Sequence, residues 1–163
     1  DLIICRMEPE NSVLAMLKAH KLSNHSRKLV VVGNTNNSFG KRLVSEFNGP
    51  RIIFTQGIYD ISALNALRSN CLYYLHGHTV GGTNPSLLEA MAYSHRIIAH
   101  DNGFNRSVLG EYSIYFSDEL SLSKISNRAD IDSQLEFTQS ILAKNHKWQD
   151  IINQYESACY EVV

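Results

Sequence analysis

The sequence predicts an α/β protein built on a Rossmann-like, doubly wound parallel sheet. Short apolar runs alternate with longer amphipathic ones along the chain, the pattern of successive strand–helix units. Several apolar runs are nearly continuous, as in Lys28-Leu-Val-Val-Val32 and Arg96-Ile-Ile-Ala99, which suits strands covered by helices on both faces. One apolar run, Cys71-Leu-Tyr-Tyr-Leu75, stops at a polar loop carrying glycines and then leads into a helix start.

The elements follow in order. Leu2-Ile-Ile-Cys5 opens a strand over 2–6, and a helix follows over 10–21. A second strand over 28–33 leads to a helix over 38–48, and a third over 51–54 to a helix over 60–69. The fourth strand, 71–75, precedes the helix over 85–94. Asn84 is a strong N-cap and Pro85 is favoured at the first helical position, so that helix starts near residue 85. A fifth strand over 96–100, a short helix near 104–109 and a sixth strand over 113–116 complete the sheet. The tail from 118 to 163 reads as mainly helical, with Trp148, Ile151, Ile152, Tyr155 and Cys159 at helical spacing as a packing face. In such sheets ligands bind beyond the carboxyl ends of the strands. The loops at 6–11, 33–37, 55–59, 76–84 and 101–104 should therefore gather on one edge.

Composition bounds the function. The 163 residues fit one domain with a full core, and 44% hydrophobic with 19% charged residues is ordinary for a globular chain. A net charge of -1 argues against a nucleic-acid partner, which would call for a basic face. No apolar run approaches the ~20 residues that span a bilayer. Cys5, Cys71 and Cys159 are odd in number and far apart, and read as reduced core residues, which fits the cytoplasm. The chain begins at Asp1 and enters a strand at once, as expected of a domain cut from a longer protein.

The loop at 76–84 carries the chemistry. A strand, a small-residue loop and a helix N-terminus together offer backbone N–H groups and a favourable dipole to an anion. Gly81 and Gly82 leave room for a diphosphate to approach the backbone. Thr83, Asn84, Pro85 and Ser86 then supply the donors and the turn itself. Glu89 shares a helical face with Pro85 and leans toward the N-terminus, where a carboxylate can accept hydrogen bonds from a sugar diol. The loop reads as a nucleotide-sugar site. Arg6, after the first strand, faces the same edge as a cation for the diphosphate.

Two other patterns are decoys. Gly33-Asn-Thr-Asn-Asn-Ser-Phe-Gly40-Lys41-Arg42 sits between a strand and a helix, but six residues separate its glycines and Arg42 follows the lysine. A P-loop needs four residues there and Ser or Thr after the lysine. His76, His78, His95 and His100 suggest a metal, yet no carboxylate pattern completes a zinc or iron site. A histidine of the 76–78 pair bonding a ligand hydroxyl or phosphate is the better reading, and no metal ligand is assigned.

Gly81-Gly82-Thr83-Asn84-Pro85-Ser86-Leu87-Leu88-Glu89-Ala90-Met91-Ala92 resembles the Glu-Gly-Phe-Gly-x-x-x-x-Glu-Ala-Met-Ala fingerprint of the C-terminal, donor-nucleotide domain of bacterial retaining glycosyltransferases of family four, which have the two-domain GT-B fold. The second glutamate of that fingerprint, which holds the ribose, maps onto Glu89, while the first falls on Gly81. Cys5-Arg6-Met7-Glu8-Pro9-Glu10-Asn11 is similar to the family's Gly-Arg-x-x-x-Glu-Lys segment, with Asn11 at the lysine. Lys28 to Asn34, with Gly33, and Ile53 to Ile58, with Gly57, resemble the segments that line the nucleobase. Asp101 to Val108 looks like the Asp-x-Gly-Gly…Glu-Val segment, and Trp148 to Tyr160 like the terminal helix. The Gly-Gly-Thr-Asn-Pro-Ser variant is similar to a polysaccharide-assembly subgroup.

The resemblance implies one half of a GT-B enzyme, with the N-terminal acceptor domain absent from this chain. The full enzyme would move a hexose from a nucleoside-diphosphate sugar, expected to be a UDP-sugar, to a lipid-linked glycan, with retention, in O-antigen or capsule synthesis. Arg6 and Glu89 would be the catalytic-site residues. Gly33, Gly57, Ile58, His78, Gly82, Thr83, Asn84, Pro85 and Ser86 would join Glu89 in holding the donor. No cofactor and no divalent metal is expected. A lipid-linked acceptor would bring the full-length enzyme to the inner face of the plasma membrane, and this domain alone would transfer little. The rival readings are a non-catalytic nucleotide-binding module and a GT-B sugar-nucleotide epimerase.

Overall fold

In the computed structural model, residues 1–128 are described, apart from Thr83 and His95. Six strands, β1 (Leu2–Ile4), β2 (Leu29–Val32), β3 (Ile52–Thr55), β4 (Tyr74–His76), β5 (Ile97–His100) and β6 (Ile114–Phe116), form one sheet in the order β3-β2-β1-β4-β5-β6. Every neighbouring pair is parallel. The helices are α1 (Val13–Leu22), α2 (Ser38–Phe47), α3 (Ile61–Asn70), α4 (Pro85–Tyr93), α5 (Gly103–Leu109) and α6 (Glu119–Ser126).

Strand alternation sends successive side chains to opposite faces, and each face is closed by its own helices. Ile3, Val31, Leu75 and Ile98 pack with Val13, Met16 and Leu17 of α1, Leu43 and Phe47 of α2, and Leu122 of α6. Leu2, Val32, Tyr74, Ile97 and Ala99 pack on the other side with Leu87, Ala90 and Met91 of α4 and Val108 and Leu109 of α5. Leu64 and Leu67 of α3 lean on that second cluster. The doubly wound expectation holds. The chain starts at β1, winds outward through β2 and β3, then returns to the other side of β1 with β4. That reversal between β1 and β4 is the switch point where doubly wound sheets open a crevice.

Local boundaries shift for identifiable reasons. The helix expected over 10–21 begins only at Val13. Pro9–Asn11 forms a separate 3-10 turn, and Ser12 has φ 48°, a left-handed conformation that interrupts helical continuity. The Asn11 side chain donates to the Arg6 carbonyl at 2.9 Å and draws that turn toward the end of β1. The fourth strand starts at Tyr74 rather than 71, because Cys71 still caps the end of α3 through its N–H to the Leu67 carbonyl. Of the tail, α6 is described, held at its start by a capping box between Asp118 and Ser121. The helix expected over Trp148 to Tyr160 lies outside the described residues. No helix among the described residues is long and apolar enough to cross a membrane.

Candidate nucleotide-sugar site

A cleft of about 560 Å³ opens at the carboxyl ends of β1, β2 and β4, at the switch point. Its wall brings together the loops after β1, β2, β3 and β4 and the first turns of α4.

The loops are stitched to one another before any ligand arrives. The Asn37 side chain caps α2 by accepting from the Gly40 N–H at 2.7 Å, and its amide donates to the Met7 carbonyl at 2.7 Å. Asn11 bonds the His78 Nδ1 at 2.8 Å, and the Thr79 N–H and hydroxyl both donate to the Glu10 carbonyl. Asn102 and Asn105 donate to the His78 carbonyl at 2.9 and 3.0 Å. Such close approach needs glycine at two points. A Cβ on Gly33 would stand 2.2 Å from the Cys5 carbonyl oxygen, and one on Gly77 would stand 2.2 Å from that of Asn11.

Of the expected site residues, Arg6, Gly33, Gly57, Ile58, His78, Asn84, Ser86 and Glu89 line the cleft. Gly82 and Pro85 are exposed and do not line it, and Thr83 lies outside the described residues. Gly82 has open space around its Cα, whereas Gly81 has φ +92°, so its glycine answers a backbone need of the turn. Gly57 is covered by the Tyr59 ring, whose hydroxyl would lie 3.1 Å from an added Cβ.

The start of α4 matches the expected cap, and this bears on anion binding. The Asn84 side chain accepts from the Ser86 N–H at 2.9 Å, and the Asn84 carbonyl accepts from the N–H groups of Leu87 and Leu88. Pro85 has no N–H. The first-turn donors of α4 are thus self-capped, and an anion seated there would replace the Asn84 side chain. Ser86 Oγ lies 3.0 Å from the Tyr74 hydroxyl, whose pKa burial pushes up to about 12, so the phenol stays protonated.

Electrostatically the cleft is mixed. The Arg6 guanidinium is mainly exposed and pairs with Glu8 at 3.1 Å. His76 forms part of the floor, buried, with no partner for its Nε2 among the described residues. Burial, with His78 adding, lowers its pKa to about 4, so it is neutral at pH 7. Cys5 is likewise inert, its thiol pushed up to about 12 by burial and then by Glu8.

Sequence reasoning missed Arg68. This α3 arginine is 2% exposed, lines the cleft, and donates through Nη2 to Glu89 Oε2. Its signal was legible: Arg68 follows Leu64 by four residues, so a cation sits on the inward stripe of a helix and demands a buried partner.

Among the described residues one set of possible metal ligands gathers, Asp1, His20 and His25, within 4.8 Å of one another. It lies at the amino ends of the strands, opposite the cleft. The Asp1 carboxylate already accepts from Arg27 at 3.0 and 3.3 Å. Burial first, then neighbouring charges including Arg51, holds both imidazoles near pKa about 4. Two guanidiniums beside these ligands oppose a dication.

Residues 2–149 match the family described as glycosyl transferases group 1. No curated protein matches the chain. Among solved structures, the chain is similar to HepE from Anabaena, solved in complex with UDP, with TM-score 0.80 and 14% identity over 98% of this chain and 48% of that one. It is similar to sucrose-phosphate synthase from Thermosynechococcus elongatus, with TM-score 0.78 and 18% identity over 99% of this chain and 45% of that one. The C-terminal domain of a glycosyl transferase group 1 family protein, LpcC from Francisella tularensis, aligns with TM-score 0.70 and 14% identity over 90% of this chain and 86% of that one. The chain thus spans about half the length of the first two, and most of the isolated domain.

Proposed function

The chain belongs to the glycosyl transferases group 1, and from that premise we propose that it is the donor-nucleotide half of a hexosyltransferase that uses a UDP-sugar. The supporting observation is the cleft at the β1/β4 switch point, where Arg6, the start of α4 and Glu89 surround one space of about 560 Å³. That arrangement offers a cation and a helix start to a diphosphate and a carboxylate to a ribose. HepE, of similar fold, binds UDP.

In this reading Glu89 accepts from the ribose, and the loops around Gly33, Gly57 and Ile58 border the base. The diphosphate lies between Arg6 and Ser86. As the glycosidic bond breaks, negative charge grows on the leaving diphosphate, and donors already in place lower the barrier. Arg6 is free to turn from Glu8 onto that charge, because its side chain is 74% exposed. Ser86 adds a hydrogen bond to the diphosphate, and His78 meets a hydroxyl of the donor sugar. Charge neutralisation by these groups would spare the reaction a divalent ion. A preceding domain would carry the acceptor, a lipid-linked glycan of bacterial surface polysaccharide at the inner face of the membrane, and transfer would retain anomeric configuration. Without that domain the chain would bind donor and transfer little.

Calorimetric titration with UDP, dTDP and GDP, each with and without magnesium, tests this. Saturable binding of UDP, unchanged by magnesium, is expected. Binding of another base alone would move the donor assignment, a magnesium requirement would remove the metal-free reading, and binding of none would contradict the proposal.

A further inference from the structure

α3 and α4 are joined across the cleft wall by one buried cation. Arg68 Nη2 donates to Glu89 Oε2, and Nη1 donates to Asn65 Oδ1 at 3.0 Å. Its Nε has no partner among the described residues. The arginine side chain is 3% exposed and the glutamate side chain 55%. Their roles are therefore unequal: the arginine is fixed in the protein and the carboxylate projects into the cleft.

A surface glutamate normally samples many rotamers, and ordering it on a ligand costs free energy. Here the planar guanidinium, itself tied to Asn65, holds one carboxylate oxygen in advance. Oε1 has no donor among the described residues.

We propose that Arg68 is a positioning residue: it clamps Glu89 through Oε2 so that Oε1 is presented, already ordered, to a hydroxyl of the nucleotide ribose. This rests on the donor-site reading above. It predicts that ribose recognition, and not nucleotide affinity at large, depends on Arg68.

The test is titration of the chain with UDP and with 2′,3′-dideoxyuridine diphosphate, which lacks the hydroxyls but keeps base and diphosphate. The wild-type chain should favour UDP by about tenfold or more, the value of a hydrogen bond to a charged group. Arg68→Met should erase most of that preference while binding the dideoxy compound as the wild type does. Arg68→Lys keeps the charge but loses the fork, and should restore part of the preference. It also serves if the methionine variant fails to fold. Folded variants that keep the full preference, or that lose both ligands equally, would overturn the clamp. A wild type that binds both compounds equally would overturn it too, while leaving the donor site standing. A wild type that binds neither would remove the donor-site reading itself.

Discussion

Asn11 and His78, from loops on opposite sides of the switch point, share a 2.8 Å hydrogen bond between Oδ1 and Nδ1. The direction of that bond follows from the other end of the amide. Asn11 Nδ2 donates to the Arg6 carbonyl at 2.9 Å, so Oδ1 is the atom left to face the imidazole. Oδ1 only accepts, and the proton therefore resides on Nδ1. With its proton on Nδ1, the ring presents Nε2 as an acceptor, suited to a ligand hydroxyl rather than a phosphate oxygen. Nitrogen-15 NMR at pH 8 should show the Nδ1–H tautomer, and Asn11→Ala should shift the ring toward Nε2–H. The opposite tautomer in the wild type would contradict the network. Because Asn11 is buried, the same change should cost about 1–3 kcal/mol of stability, read by denaturant melts.

Glu89 carries a structural duty besides its place in the cleft, because it is the carboxylate that pairs with buried Arg68. Glu89→Ala should lower stability by about 1–3 kcal/mol, since it leaves a desolvated guanidinium without its carboxylate and with Asn65 alone as acceptor. Adding Arg68→Met should recover part of that loss. Chemical denaturation of the two single variants and the double variant checks this, and strictly additive losses would contradict the pairing.

The glycines divide into two kinds. Gly77→Ala and Gly33→Ala push a methyl against backbone carbonyls at 2.2 Å, and each should cost about 1–3 kcal/mol or more. Gly82→Ala meets nothing within 4 Å and should leave the melting temperature unchanged. If a diphosphate passes close to Gly82, the same substitution should still weaken UDP binding. Thermal melts and titration of the three variants separate the two roles.

Acid should destabilise the fold well above the carboxylate range. His20, His25 and His76 each have a folded pKa lowered from 6.5 to about 4. Between those values the unfolded chain binds more protons, so stability is full above about 6.5 and falls as the pH drops toward 4. Urea midpoints at pH 7.5, 5.5 and 4.5 should decline in that order. His76→Gln should flatten the slope, and a flat wild-type profile would contradict the buried neutral imidazoles.

The sheet was legible in the sequence because its signals are local. Val30, Val31 and Val32 announce a strand covered on both faces, and Asn84-Pro85 announces a helix start. What stayed hidden is made by contacts between segments distant along the chain. Arg68 falls on the inward stripe of α3, but which carboxylate pairs with it is set only when α3 packs against α4. Gly33 and Gly77 read as ligand-facing or incidental until two loops are brought within van der Waals contact. Asn11, which departs from the lysine of the related segment, acquires meaning only through Arg6 and His78. Ser12 shows the local limit as well: its left-handed backbone cuts a helix that amphipathic spacing alone would continue.

The most direct test of the central claim is amide and side-chain NMR mapping of the chain titrated with UDP. Shifts should concentrate at Arg6, Gly33, Gly57, His78, Ser86 and Glu89, around the β1/β4 switch point, and should saturate without magnesium. Shifts confined to the opposite edge near Asp1 and His20, or absent throughout, would contradict a nucleotide site in this cleft.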